Sequence, residues 1–384
     1  MTSMLRARRM LVGVVALAGA LTACSSGADV TERQIISDAG RAEVRRALDD
    51  VVAAGYAGVQ VVVTEHGRNW TASAGTANIE TGAGFPEDAR VRIGSNTKPF
   101  VATAILQLVS EGKVDLDAPV DRYLPGVIQG DGIDGTRIAV RNILQHTSGL
   151  PEYLELPELN FDDVDTALRQ RFDAAAMVRN AVSTMPGHFP PGEKAEYSNT
   201  NYLVAGLLIE KVTGNPYGDE LTRRISEPLG LHATYVPAWD ETDLRTPHPQ
   251  GYEVIDGVRT DITRFPTSLA GPAGAMVSTG AELNRFFTAL LSGKLLPPAQ
   301  LAQMQRDTRP LSNRPAGIDY GLGLAELAVP CAKEVWGHGG SIPGFKTFNG
   351  VTADGRAVSV VANERTADDT TVQHVFDTAV CAAS

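Results

Sequence analysis

Ser95-Asn96-Thr97-Lys98 stands just before the apolar run from Phe100 to Val109. That position puts the serine at the start of a helix and the lysine three residues on, within reach on the same face. A serine hydroxyl is a poor nucleophile at its ordinary pKa and needs an adjacent base as it attacks. The free N–H groups of a first helical turn also favour the negative charge that develops, and Pro99 is tolerated there. A second group, Tyr197-Ser198-Asn199, lies between Pro190-Pro191-Gly192-Glu193 and a helical run from Tyr202. On such a loop the tyrosine hydroxyl can relay a proton to a leaving group, and the Asn199 amide can bond a substrate carbonyl or the lysine's surroundings. A third group, Gly337-His338-Gly339-Gly340-Ser341, precedes Pro343-Gly344. It reads as a strand edge stripped of side chains, along which a substrate backbone can pair. The Ser341 N–H there can join that of Ser95 as an oxyanion hole. Taken singly, the three patterns are also an ordinary cap, a helix entry and a glycine-rich turn.

The elements that must hold these residues come from both ends of the chain. Residues 38–53 have helical apolar spacing with Asp38 as the candidate N-cap. Runs at 58–65 and 69–75 flank His66-Gly67-Arg68, and runs at 346–351 and 357–363 flank Asp354-Gly355. Both read as hairpins, and a helix over 368–382 follows. The pattern predicts an α/β (α+β) fold: an antiparallel sheet built from both termini and flanked by helices. The middle, 95–291, carries helical runs at 97–112, 202–213 and 282–292 and predicts an inserted, mostly helical lobe, with a cleft between lobe and sheet. Trp239, Tyr252 and Phe265 fall in a proline-dotted stretch that reads equally as a lid or as covering structure. His146 and Ser148 read as loop organisers.

The order and spacing of Ser-x-x-Lys, Tyr-Ser-Asn and His-Gly-Gly resemble the serine β-lactamase and DD-peptidase superfamily. The resemblance is to the branch of class C β-lactamases and actinomycete-type D-alanyl-D-alanine carboxypeptidases. The runs 143–150 and 189–192, Ala273-Gly274-Ala275 and Tyr320-Gly321-Leu322-Gly323-Leu324 look like that branch too. The resemblance implies a β-lactamase/transpeptidase-like fold and an acyl-enzyme on Ser95, with Lys98 and Tyr197 handling protons. Asn199, His338, Gly339, Gly340 and Ser341 would bind substrate, His338 at the family's basic third-motif position. It leaves open whether lysine or tyrosine is the base. It implies a D-alanyl-D-alanine carboxypeptidase or related peptidase first, then an esterase, another amidohydrolase or a β-lactamase; a non-catalytic binder of penicillins or cell-wall peptides is the rival of another class. Two departures bear on substrate. Gly339 stands where carboxypeptidases of the branch carry threonine, and Ala325-Glu326-Leu327 lacks an arginine that would grip a terminal carboxylate.

Arg6, Arg8 and Arg9 precede an apolar stretch from Met10 to Ala20 and then Leu21-Thr22-Ala23-Cys24. The stretch is too short to span roughly 30 Å of hydrocarbon and reads as an export signal. Its end resembles a bacterial lipobox. The expected organisation is a lipoprotein signal peptide at 1–23, a tether at 24–37 lipidated at Cys24, and a hydrolase domain at 38–384, held outside the cytoplasm on the cell membrane. Export favours pairing of Cys331 with Cys381. The formal net charge of -11 argues against a nucleic-acid partner. No cofactor or metal is implied: the histidines are scattered and no His-Glu-x-x-His occurs. The expected partner is a small-molecule or cell-wall peptide substrate, met by a monomer.

Overall fold

The computed structural model describes residues 36–382 other than 160–167, 169, 333 and 367. The expected leader, Cys24 and most of the tether lie outside the described residues. Helix α1 (Asp38–Ala53) begins one residue earlier than its expected cap implies: the Ser37 side chain accepts from Gly40 N at 3.2 Å. Asp38 sits instead in the first turn, where its charge favours the helix dipole. Strands β1 (Gly58–Glu65) and β2 (Arg68–Gly75) form the first hairpin. His66 and Gly67 both take positive φ at its tip, the backbone that a two-residue turn between twisted strands requires.

The remaining strands of the main sheet are β3 (Arg309–Pro310), β4 (Ile318–Tyr320), β5 (Ala325–Leu327), β6 (Val335–Ile342), β7 (Phe345–Thr352) and β8 (Ala357–Ala362). The eight strands lie in the order β2-β1-β8-β7-β6-β5-β4-β3, and every neighbouring pair is antiparallel. The join between the two ends of the chain is β1 against β8, with Val59 opposite Ala362 and Val63 opposite Val358. Alternation sends Val358 and Val360 to one face, where α1 and α6 (Thr370–Cys381) cover them, while Ala357 and Val361 face the lobe. A strand covered on both sides reads as the unbroken apolar run seen at 357–362.

The lobe holds α2 (Thr97–Ser110), α3 (Ala174–Thr184), α4 (Thr200–Thr213) and α5 (Gly280–Leu291). Phe100, Leu203 and Phe286 share its core with Trp336 and Val361 of the sheet, so lobe and sheet form one packed body around the cleft. Tyr252 and Phe265 are buried, and Tyr252 belongs to a small sheet with residues 258–261 and 364–365. These two residues are covering structure, whereas Trp239 is exposed.

Cys331 and Cys381 are bonded, tying the end of α6 to the turn before β6. Closing a loop of 50 residues restricts the unfolded chain by about 2–4 kcal/mol. Replacing both cysteines with serine is expected to lower unfolding free energy by that amount in a denaturant titration and to leave the rate on small substrates unchanged. A loss of activity without a loss of stability would contradict a purely structural role.

Candidate active site

Ser95 sits in a 3-10 turn, Gly94–Asn96, that runs directly into α2. Its neighbours pin that turn. Asn96 Nδ2 donates to Thr347 Oγ1 at 2.8 Å, and Thr97 Oγ1 accepts from Met276 N at 3.1 Å. Ser95 remains partly exposed while the residues on either side are buried. Lys98 is fully buried, and its Nζ lies 2.9 Å from Ser95 Oγ, 2.8 Å from Asn199 Oδ1 and 2.7 Å from the Ala273 carbonyl oxygen. Burial pushes the Lys98 pKa well below its ordinary range; Glu152 opposes this and Arg314 adds to it.

A neutral amine has two N–H donors and one lone pair. The Ala273 carbonyl oxygen only accepts. Asn199 Oδ1 is likewise an acceptor, because Asn199 Nδ2 is turned the other way, donating to Glu152 Oε2 at 3.0 Å. Glu152 Oε2 also takes the Asn199 backbone N–H at 2.7 Å, which fixes the amide's orientation. Both N–H groups of a neutral Lys98 are thus spoken for, and its lone pair is left facing the Ser95 hydroxyl. Glu152 escaped the sequence reading. It follows the 143–150 run by two residues, but nothing in its spacing links it to Asn199.

Tyr197 reaches the same hydroxyl from the loop before α4. Burial raises its pKa, against a hydrogen bond with Ser95 and the charge of Arg314. Tyr197 is therefore neutral near pH 7 and burial favours the neutral form of Lys98, a pair able to accept a proton on one side and donate one on the other. The Tyr197 ring packs 4.3 Å from that of His146, and Lys98 Nζ lies 4.8 Å from its centroid. His146 Nδ1 takes weak bonds from Ser198 N and Asn201 Nδ2, each at 3.3 Å, and Ser148 Oγ donates to Asn201 Oδ1 at 2.6 Å. Both residues hold the loop, as their sequence context suggests.

The third motif occupies β6. Along its whole length β6 pairs with β7, but β5 reaches only Trp336 and Gly337. From His338 onward the other side is therefore the open edge expected of it. The two-residue turn Pro343-Gly344 makes Ile342 and Phe345 a hydrogen-bonded pair. Ser341, one residue back, then turns its backbone groups outward. That is the side on which Gly94 lies: a Cβ on Gly94 would come within 2.9 Å of Ser341 N. The geometry brings the backbone of the Ser95 turn against that of Ser341. Gly340 has to be bare, since a Cβ there would come within 2.1 Å of the Ile93 carbonyl oxygen, whereas Gly339 has room for one.

His338 departs from the basic role its position suggests. Its Nδ1 lies 2.5 Å from the Gly339 carbonyl oxygen, which only accepts, so Nδ1 carries the proton and Nε2 accepts from Tyr320 Oη at 2.9 Å. Burial, with Lys98 and Arg314 nearby, pushes its pKa down to about 3. The imidazole is neutral and both nitrogens are engaged within the protein. These groups converge away from the roomier surface cavities, one of about 470 Å³ beside Glu43 and His374 and another of about 530 Å³ beside Arg141 and Arg306.

Comparison with known proteins fits this geometry. The family model described as Beta-lactamase matches residues 44–378. Penicillin-binding protein 4* of Bacillus subtilis (strain 168) is 30% identical over 268 residues, covering 67% of this chain and 56% of that protein. The match thus spans a little over half of that relative's length. Esterase EstB of Burkholderia gladioli is 28% identical over 313 residues, 74% of this chain and 79% of that one. Among solved structures, a D-stereospecific amidohydrolase from Streptomyces sp. superposes with a TM-score of 0.81 at 36% identity, covering 89% of this chain and 99% of that chain.

Proposed function

We propose, from the premise that this chain belongs to the Beta-lactamase family, that it is a serine hydrolase which forms an acyl-enzyme on Ser95 and cleaves amides of D-amino acids. The observation that carries the reading is the trio of contacts at Lys98 Nζ, which leaves the amine's lone pair to Ser95. In this mechanism Ser95 Oγ attacks the carbonyl carbon as its proton passes to Lys98 Nζ. The oxyanion is held by the N–H groups of Ser95 and Ser341. The C–N bond then breaks, and the Tyr197 hydroxyl, resupplied by Lys98, protonates the departing amine. Water reverses the sequence and frees the acid. Lys98 is thus the base and Tyr197 the relay.

The amide preference is supported by the likeness to the D-stereospecific amidohydrolase over nearly all of that chain. It is also supported by a third motif without charge. Neutral His338 and the hydrogen at Gly339 provide neither the cation nor the hydroxyl that would hold a terminal carboxylate. A D-alanyl-D-alanine carboxypeptidase is the narrower form of the same chemistry. An esterase is the second reading, favoured by the match to EstB along most of its length.

We also propose that the chain is exported and lipidated at Cys24, from its leader-like first 23 residues. Intact mass of protein extracted from membranes tests this: a diacylglyceryl mass on a chain starting at Cys24 is expected, and an unprocessed Met1 would overturn it.

For the reaction, protein lacking residues 1–24 is incubated with a fluorescent penicillin, D-phenylalanine amide, its L-enantiomer, a D-Ala-D-Ala peptide and p-nitrophenyl butyrate. Ser95→Ala serves as control. A mass adduct on Ser95 and preferential hydrolysis of the D-amide are expected. Release of terminal D-alanine alone would replace the amidase with a carboxypeptidase, and ester cleavage alone with an esterase. No adduct and no turnover would overturn the enzyme reading in favour of a binder.

A further inference from the structure

The segment 311–314 is fastened to the strand-like stretch before Tyr197. Leu311 bridges Ala195, Ser312 N donates to the Ala195 carbonyl oxygen at 2.9 Å, and the Asn313 side chain bonds both backbone groups of Tyr197, at 2.8 and 3.0 Å. This clamp delivers Arg314 to the Tyr197 ring, its guanidinium carbon 4.3 Å from the centroid. Among the described residues no carboxylate lies within ion-pair distance of Arg314. The other titratable groups around Tyr197 are Lys98, Glu152, His146, Tyr202, Tyr320 and His338, all buried or nearly so. Lys98 and both histidines are pushed toward neutrality. Among the described residues Arg314 is then the cation left beside the reacting hydroxyls; it is exposed, and the pairing of residues 311–313 places it there.

We propose that Arg314 is a positioning residue for the Ser95 reaction, supplying through the face of Tyr197 the positive charge that His338 does not, and biasing the Lys98–Tyr197 pair toward its proton-poor form. A cation over an aromatic face is attracted to the ring, and a positive charge nearby favours loss of a proton from either partner. The inference rests on the acyl-enzyme reading above.

The test is the pH profile of kcat/KM for p-nitrophenyl butyrate, and for whichever amide is turned over, in wild type, Arg314→Gln and Arg314→Lys. The charge of an exposed guanidinium 4.3 Å from the Tyr197 ring centre, screened nearly as in water, is worth roughly half a pKa unit to the groups behind the ring. The acidic limb of Arg314→Gln is therefore expected to move up by about half a unit or more, with kcat/KM falling about threefold or more on that limb. Arg314→Lys restores most of the shift. Thermal melts establish that each variant is folded. An unmoved limb would overturn the proposal, as would a change confined to KM for carboxylate-ended substrates, which would make Arg314 a substrate-binding group. Failure of the enzyme reading looks different: Ser95→Ala would then match wild type.

Discussion

Lys98→Met is expected to lower kcat/KM at pH 7 by about 10³-fold or more, the scale of a general base and an activated nucleophile together. Methionine fills nearly the same buried space but offers no lone pair to Ser95 Oγ, while Ser95 and Tyr197 keep their backbone settings. A second measurement separates the base from a merely structural lysine. The folded-state pKa of Lys98 lies well below the unfolded value of 10.5. Between those two values the unfolded chain binds one proton more than the native protein, so Lys98 makes stability rise with pH through that window. The slope is about 1.4 kcal/mol per pH unit. Lys98→Met is expected to lose that slope in denaturant titrations over the pH range just below the unfolded value of 10.5. Activity needs the neutral amine, so wild-type kcat/KM falls as pH drops through the folded-state pKa. Retained activity in Lys98→Met, or an unchanged stability slope, would remove Lys98 from the proton path.

Gly94→Ala is expected to cost about 10²- to 10³-fold in kcat, the scale of a lost oxyanion donor, with little change in KM. Gly94 has φ +52°, where an L side chain is strained by about 1–2 kcal/mol. The more consequential effect is the new methyl. It would sit 2.9 Å from Ser341 N and 3.1 Å from Ser341 O, and backbone cannot swing away as a flexible side chain can. The Ser95 turn and β6 must part, and their two N–H groups no longer converge on one oxygen. A kcat within tenfold of wild type, in a variant that melts only slightly lower, would mean that Ser341 does not share the oxyanion.

Lys98 in the first prediction and Ser341 in the second are residues whose positions the sequence makes plain, because a turn of helix and a two-residue hairpin carry their geometry locally. Ser95 and Lys98 are related by one helical turn, and Pro343-Gly344 sets which backbone groups of Ser341 face outward. The terminal hairpins and helices are legible for the same reason, since alternation and turn residues are local signals. What could not be read depends on contacts made across the fold. Glu152 orients Asn199 from 47 residues away, Asn313 reaches Tyr197 from 116 residues away, and the Ala273 carbonyl oxygen meets Lys98 with no side chain to mark it. The charge state of His338 hinges on its burial in the folded site beside Lys98 and Arg314. Strands β3 to β5 are two or three residues long, too short for alternation to show. Ser37 and Asp38 are adjacent residues of cap-forming type, and only the bond to Gly40 N distinguishes them.

The pairing of Val59 with Ala362 also constrains when this protein can become itself. The join of β1 to β8, second from the sheet's β2 edge, links residues about three hundred positions apart, so a chain emerging from its N-terminus holds a finished hairpin, β1–β2, whose next partner has not yet been made. Until β8 (Ala357–Ala362) arrives, the valine-rich side of β1 has no neighbour and stands open to other chains. Long-range pairing of this kind is slow to form. Truncation near the C-terminus would thus be felt first at the opposite end, as an unsealed β1 edge and aggregation, before any change at Ser95.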